Sequence, residues 1–336
     1  MDFFFVTCWS FGYSILGRYA PNLLYGLSDT AIYYSIVENG LNSIEYDINN
    51  RSNRILVPLI ARIFYLALPS VGTWDPAGHA LLITNSFFTS LAALMIFDLS
   101  FKMFNILHLS LISSFIYISN FIVVNWFLIG GVDSAWSLSC IALIYLLHSE
   151  RFYLLPFLSI FATLTKEHYL LFGSLIILLW ITYELIYENK LKWKNIFYFL
   201  LSTLISLTII IVIQSILQNQ LTMPWQIIND ISVLEEQSYD LNFIFSIVSR
   251  FIIVSGLLLV LSFQNIRMFN KKILFVIGLT IIIQFIFGFI IGLSGYGYGR
   301  SLFNIASYVL CTSAAMTLYK LLDNLNTFLK YLSKLI

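Results

Sequence analysis

The chain has 336 residues, of which 59% are hydrophobic and only 10% charged, with a net charge of +1. Soluble domains carry about 25% charged residues, and no soluble core of this size hides so much apolar surface, so the composition calls for the bilayer as solvent. The near-neutral balance offers no electrostatic footprint for nucleic acid. Cys8, Cys140 and Cys311 lie in apolar runs without the spacing of a zinc site and read as small buried hydrophobes.

A hydrocarbon core of about 30 Å needs roughly 20 apolar residues at about 1.5 Å each. Taken in chain order, the apolar runs predict spans at 3–25, 78–99, 105–129, 134–149, 153–165, 169–187, 195–217, 243–263, 273–293 and 302–321. The first run lacks a basic leader and a small-residue cleavage site, so it reads as a span rather than a signal peptide. The runs 134–149 and 153–165 are short and suit tilted helices or helices bordering a wet cavity.

Arg54–Leu68 is apolar but about 15 residues long, with Pro58 and Arg62 inside it. Whether it crosses the membrane decides the topology, and the positive-inside rule resolves the choice. If it lies at the interface and the N-terminus is cytoplasmic, then Lys102, Arg151, Lys190, Lys192, Lys194, Arg267, Lys271, Lys272, Lys320, Lys330 and Lys334 share the cytoplasmic face. If it spans, nearly all of them land outside. The expected protein is therefore all-α and polytopic, with about ten spans, an interfacial helix in an outer loop 26–77, a second outer loop 218–242, and both termini cytoplasmic.

That topology gathers the chemically capable residues on the non-cytoplasmic face. Asp29 follows the first span and suits a general base or a metal ligand; the plainer reading is a loop acid or a helix N-cap. Asp133, in Gly131-Val132-Asp133-Ser134, offers the same two readings. Lys166-Glu167-His168 breaks two apolar runs, which is costly without partners. Lys166 suits a phosphate, Glu167 a pairing with Lys166 or Arg300, and His168 proton exchange; a plain hairpin turn is the competing account. Arg300 ends Gly295-Tyr296-Gly297-Tyr298-Gly299-Arg300, a pattern that suits a loop folding back beside a ligand, with Tyr298 in it. An arginine there matches phosphate bidentately. Arg54 belongs at the mouth of the same cavity, and Arg250 lies within an apolar run.

In this order the motifs resemble the GT-C superfamily of integral membrane glycosyltransferases, which includes protein O-mannosyltransferases and aminoarabinose transferases. The resemblance rests on Asp29 with Tyr33, then Arg54-Ile55-Leu56-Val57-Pro58-Leu59, then Asp133-Ser134-Ala135, and finally Leu164-Thr165-Lys166-Glu167. It covers about residues 1–190, a catalytic transmembrane module, with 191–336 forming the C-terminal helices. The lone Asp29 and lone Asp133 depart from the paired acids of many members. The resemblance implies an inverting transfer of a sugar from a polyprenyl-phosphate donor to a hydroxyl on a lipid, glycan or protein acceptor. Asp29 and Asp133 would be catalytic, and Tyr33, Arg54, Lys166, Glu167, His168, Tyr298 and Arg300 would bind substrate. No cofactor is required by these residues, and a divalent metal stays open. A lipid-linked-sugar flippase, a polysaccharide polymerase and a non-catalytic subunit on the same scaffold are the competing classes.

Overall fold

The structure, a computed structural model, describes residues 1–16, 30–41, 53–68, 75–128, 131–189, 192–218, 221, 258, 260–262, 265–291 and 298–335, with side chains for all of these except 14–16, 218, 284–291, 298–302 and 326–335. Among the described residues there are only helices and no strand. In chain order the α-helices are α1 (Asp2–Leu16), α2 (Thr30–Asn39), α3 (Leu56–Ala67), α4 (Pro76–Phe104), α5 (Leu107–Ile118), α6 (Asp133–His148), α7 (Leu155–Thr165), α8 (Tyr169–Tyr187), α9 (Trp193–Gln218), α10 (Lys271–Ile291) and α11 (Tyr298–Leu335). A π-helical stretch, Val123–Phe127, follows α5.

Among the described residues, four stretches are long and apolar enough to cross a membrane: Pro76–Phe104, Tyr169–Tyr187, Trp193–Leu217 and Phe303–Leu325. Their burial shows what they pack against. The most apolar window is 67% buried within α4 but only 17% buried within α9. Helix α9 turns Phe197, Leu200, Leu204, Val212 and Ile216 outward. A helix that apolar and that exposed needs lipid on its flank.

Helix α4 organises the bundle. Its start is fixed locally: Asp75 accepts hydrogen bonds from the Ala77 and Gly78 amides at 2.8 and 3.0 Å, and Pro76 takes a position where a missing N–H costs nothing. Its end is a left-handed Asn105, φ 54°. Ala77, Gly78, Ala80, Ser86, Ala92 and Ala93 are buried along it, and such small residues let neighbouring backbones approach closely. Ser114 of α5 donates to the Ala93 carbonyl, and Ser100 pairs with Thr312 of α11 at 2.8 Å. Helix α1 runs antiparallel to α4, with Trp9 edge-on to His79 and Met1 beside Ser90. At 15 residues α1 rises about 22 Å, short of a full crossing within the described residues.

Helix α3 has 12 residues, a rise of about 18 Å, too short to cross as a helix. Val57, Pro58 and Ala61 are buried, while Ile63 and Leu66 remain exposed. Its Arg62 donates to the Val37 carbonyl at 2.9 Å, which satisfies an end of α2 where Gly40, φ 76°, turns the chain. Among the described residues, the segment 26–77 expected as an outer loop contains α2 and α3.

The helix ends sort into two groups. One holds Asp75, Asp133 and the α7–α8 turn. The opposite one joins Lys102 to Tyr145 (2.7 Å), Lys192 to Glu150 (2.7 Å), Lys272 to Glu184 (2.7 Å) and Lys320 to Asn265 (2.6 Å). Those four lysines are among the residues that charge patterning assigns to a single face.

Candidate functional site

Asp133 opens α6, but it is not a cap. Val132 holds the N-cap position, and no side chain caps this helix. The Asp133 Oδ1 instead accepts a hydrogen bond from Lys166 Nζ at 3.1 Å, with the two side chains 7% and 16% exposed. A carboxylate in the first turn also meets the positive end of the helix dipole. Lys166 reaches it because α7 stops at Thr165 and the next residue is extended, φ −159° and ψ 121°.

The next residue builds a second pair. Glu167 takes Arg54 Nε on Oε2 at 3.1 Å and Arg54 Nη2 on Oε1 at 2.8 Å, the bidentate fork that guanidinium geometry favours. The Arg54 and Glu167 side chains are 11% and 16% exposed. His168 Nδ1 lies 3.0 Å from Glu167 Oε1, and its ring stacks on Phe172. Tyr33, buried on α2, also interacts with the Arg54 guanidinium. Burial opposes charge on Glu167, yet Arg54 and His168 outweigh it and hold the carboxyl well below the usual range. Burial likewise opposes charge on Arg54, and Glu167 with Tyr33 reverses the sign, so the guanidinium stays charged.

Two adjacent residues, Lys166 and Glu167, therefore recruit partners 33 and 113 residues away. Of the residues expected at the site, Tyr33, Arg54, Asp133, Lys166, Glu167 and His168 come together at one end of the bundle. Glu167 pairs with Arg54 rather than with Lys166. Asp29 lies outside the described residues. Tyr298 and Arg300 are not in a loop: they form the first turn of α11, and their side chains lie outside the described ones. That first turn belongs near this end, because Phe303 stacks on Tyr117, whose hydroxyl meets Ser137, one turn along α6 from Asp133.

Around the pairs sit buried polar atoms without protein partners. Ser134 Oγ donates to Asn85 Oδ1, leaving Asn85 Nδ2 unpartnered at 0% exposure. Trp136 Nε1, and both side-chain polar atoms of Asn53 beside Arg54, are in the same condition. These neutral residues carry no charge signal in the sequence, being Asn and Trp among apolar neighbours.

A buried cluster also lies at the opposite end. Glu184 Oε1 accepts from Lys272 at 2.7 Å and from Trp180 Nε1 at 3.1 Å, while Oε2 takes Asn195 at 3.4 Å. Lys272 lies over the Trp180 ring, 4.5 Å from its centroid. Every group in it is satisfied, which fits a pin joining α8, α9 and α10 rather than a reactive centre.

Among the described residues no group of three or more His, Cys, Asp or Glu is placed to hold a metal ion. Compared with known proteins, the chain matches no family model, no curated protein and no solved structure.

Proposed function

We propose that the chain is a polytopic membrane glycosyltransferase that moves a sugar from a polyprenyl-phosphate donor to an acceptor hydroxyl, with inversion, on the non-cytoplasmic face. Four separate segments bring Tyr33, Arg54, Asp133 and Lys166–His168 to one end of an apolar helical bundle. That convergence is the observation that carries the reading. Buried charge in a lipid-facing protein is expensive and is kept chiefly where it does chemistry. The opposite end holds Lys102, Lys192, Lys272 and Lys320, so the positive-inside rule turns the site outward. In this reading about ten helices span, both termini are cytoplasmic, and α3 lies at the interface with its exposed Ile63 and Leu66 in lipid.

The reaction needs little covalent chemistry from the protein. The acceptor oxygen bonds to the anomeric carbon, the bond from that carbon to the phosphate oxygen breaks, and the phosphate leaves with the electron pair. Lys166, Arg54 and Arg300 stabilise the charge that builds there. Asp29 takes the acceptor proton, and Asp133 orients the acceptor.

The test is transfer of labelled sugar from a polyprenyl-phosphate donor by protein in nanodiscs. Wild type should transfer; Asp29→Asn should not, while unfolding like wild type. Full activity in Asp29→Asn removes it as the base. A folded wild type that transfers nothing favours the one alternative with an observation behind it, a non-catalytic subunit, since both ion pairs are already closed on themselves.

A further inference from the structure

We propose that the first turn of α6 is a phosphate seat, and that a phosphate occupying it takes Lys166 away from Asp133. The inference rests on the reading of the donor as phosphate-linked and says which groups would hold that phosphate.

Three observations converge there. The 16-residue α6 has no side-chain cap, so its leading amides present positive potential to the site. Asn85, 0% exposed, is anchored to Ser134 in that turn through Oδ1, and its Nδ2 has no partner. Lys166 donates to Asp133 Oδ1 in the same turn, and that hydrogen bond uses one of its three donors. Trp136 Nε1, buried one turn along, is a further unpartnered donor. All these groups donate. A buried donor without a partner costs free energy, and an oxygen-rich anion is the ligand class that satisfies an amide, an ammonium and a helix N-terminus together.

The carboxylate in the seat is that of Asp133, which already occupies Lys166. A phosphate arriving there meets the Asp133 carboxylate as a like charge competing for the same ammonium. Binding therefore exchanges the partner of Lys166, and Asp133 is released from its lysine when the donor arrives. A purely structural ion pair predicts no phosphate binding that depends on Lys166 and Asn85.

The experiment is equilibrium binding to full-length protein in nanodiscs, with inorganic phosphate and a short-chain isoprenyl phosphate as separate probes. Asp133→Asn should bind phosphate about tenfold or more tightly than wild type, the scale of one charge-assisted contact. Lys166→Met and Asn85→Leu should each weaken it by about the same factor, and Lys166→Arg should retain it. If only the isoprenyl probe binds with this pattern, the seat serves a lipid headgroup; if both do, it recognises the phosphate alone. Weaker binding in Asp133→Asn, with Lys166→Arg folded and equally impaired, overturns the proposal. Binding with the predicted signs but no sugar transfer leaves the seat standing and removes the transferase reading. Transfer that is insensitive to Asn85→Leu removes the seat and leaves the transferase.

Discussion

Glu167→Gln isolates the contribution of the Arg54 pair. The substitution keeps the shape and removes the charge, leaving a guanidinium at 9% exposure without its counter-ion. Breaking a buried pair from one side costs about 3–5 kcal/mol, because the remaining charge stays desolvated. The residual 11% and 16% exposure of the two side chains admits some solvent, so the lower end, about 3 kcal/mol, is expected. Arg54→Met should cost a similar amount. The double variant should cost far less than the sum, because neither charge is then stranded. The assay is reversible unfolding in mixed micelles, read by tryptophan fluorescence. Additive losses would refute the coupling. The pH dependence has a fixed sign. Glu167 has its carboxyl depressed by folding, so its contribution is full above the unfolded carboxylate value, about 4.3, and fades as pH falls through the lower folded value. Wild type and Glu167→Gln should therefore converge in stability only under acid.

Other consequences follow from particular contacts. Lys272→Met and Glu184→Gln should each destabilise by several kcal/mol and their double by much less, measured in the same unfolding assay, because a buried pair is costly to break from one side. Gly173→Ala places a Cβ about 2.5 Å from the Tyr169 ring and should cost roughly 1–3 kcal/mol. Gly278→Ala meets nothing within 4 Å and should be neutral or stabilising by up to about 1 kcal/mol; equal effects at the two glycines would contradict the packing described. In a background lacking the three buried cysteines, Cys at His168 should react with an impermeant maleimide from outside and Cys at Glu150 only from inside. The reverse pattern would invert the topology.

Much of the site was legible in the sequence because charge inside apolar runs demands a partner. Lys166-Glu167-His168 between two hydrophobic stretches had to be compensated, and the sequence offered Lys166 or Arg300 to Glu167, whereas the structure supplies Arg54. Which cation met which anion was not legible, since the choice depends on an extended residue at 166 that swings adjacent side chains toward different helices. The turn at Tyr298–Arg300 read as a loop because glycines alternate with tyrosines, yet helix α11 begins there. The Glu184–Lys272 pin was hidden for another reason. Lys272 read as one of several loop lysines at a span end, and the partner that buries it is 88 residues away. Asn85 and Trp136 were invisible for a third reason: only the packed bundle shows that Asn85 Nδ2 and Trp136 Nε1 lack partners. Among the helix limits, those of α8 coincide with the predicted 169–187, whereas α4 extends past both predicted ends because Asp75 caps it early and Asn105 stops it late.

The most direct test of the site as a sugar-transfer centre is a single-turnover measurement on nanodisc-embedded protein loaded with a labelled polyprenyl-phosphate sugar. The account predicts transfer to an acceptor hydroxyl with inversion, lost in Asp29→Asn and strongly slowed in Lys166→Met, with both variants folded. Folded wild-type protein that binds the donor and transfers nothing would contradict it.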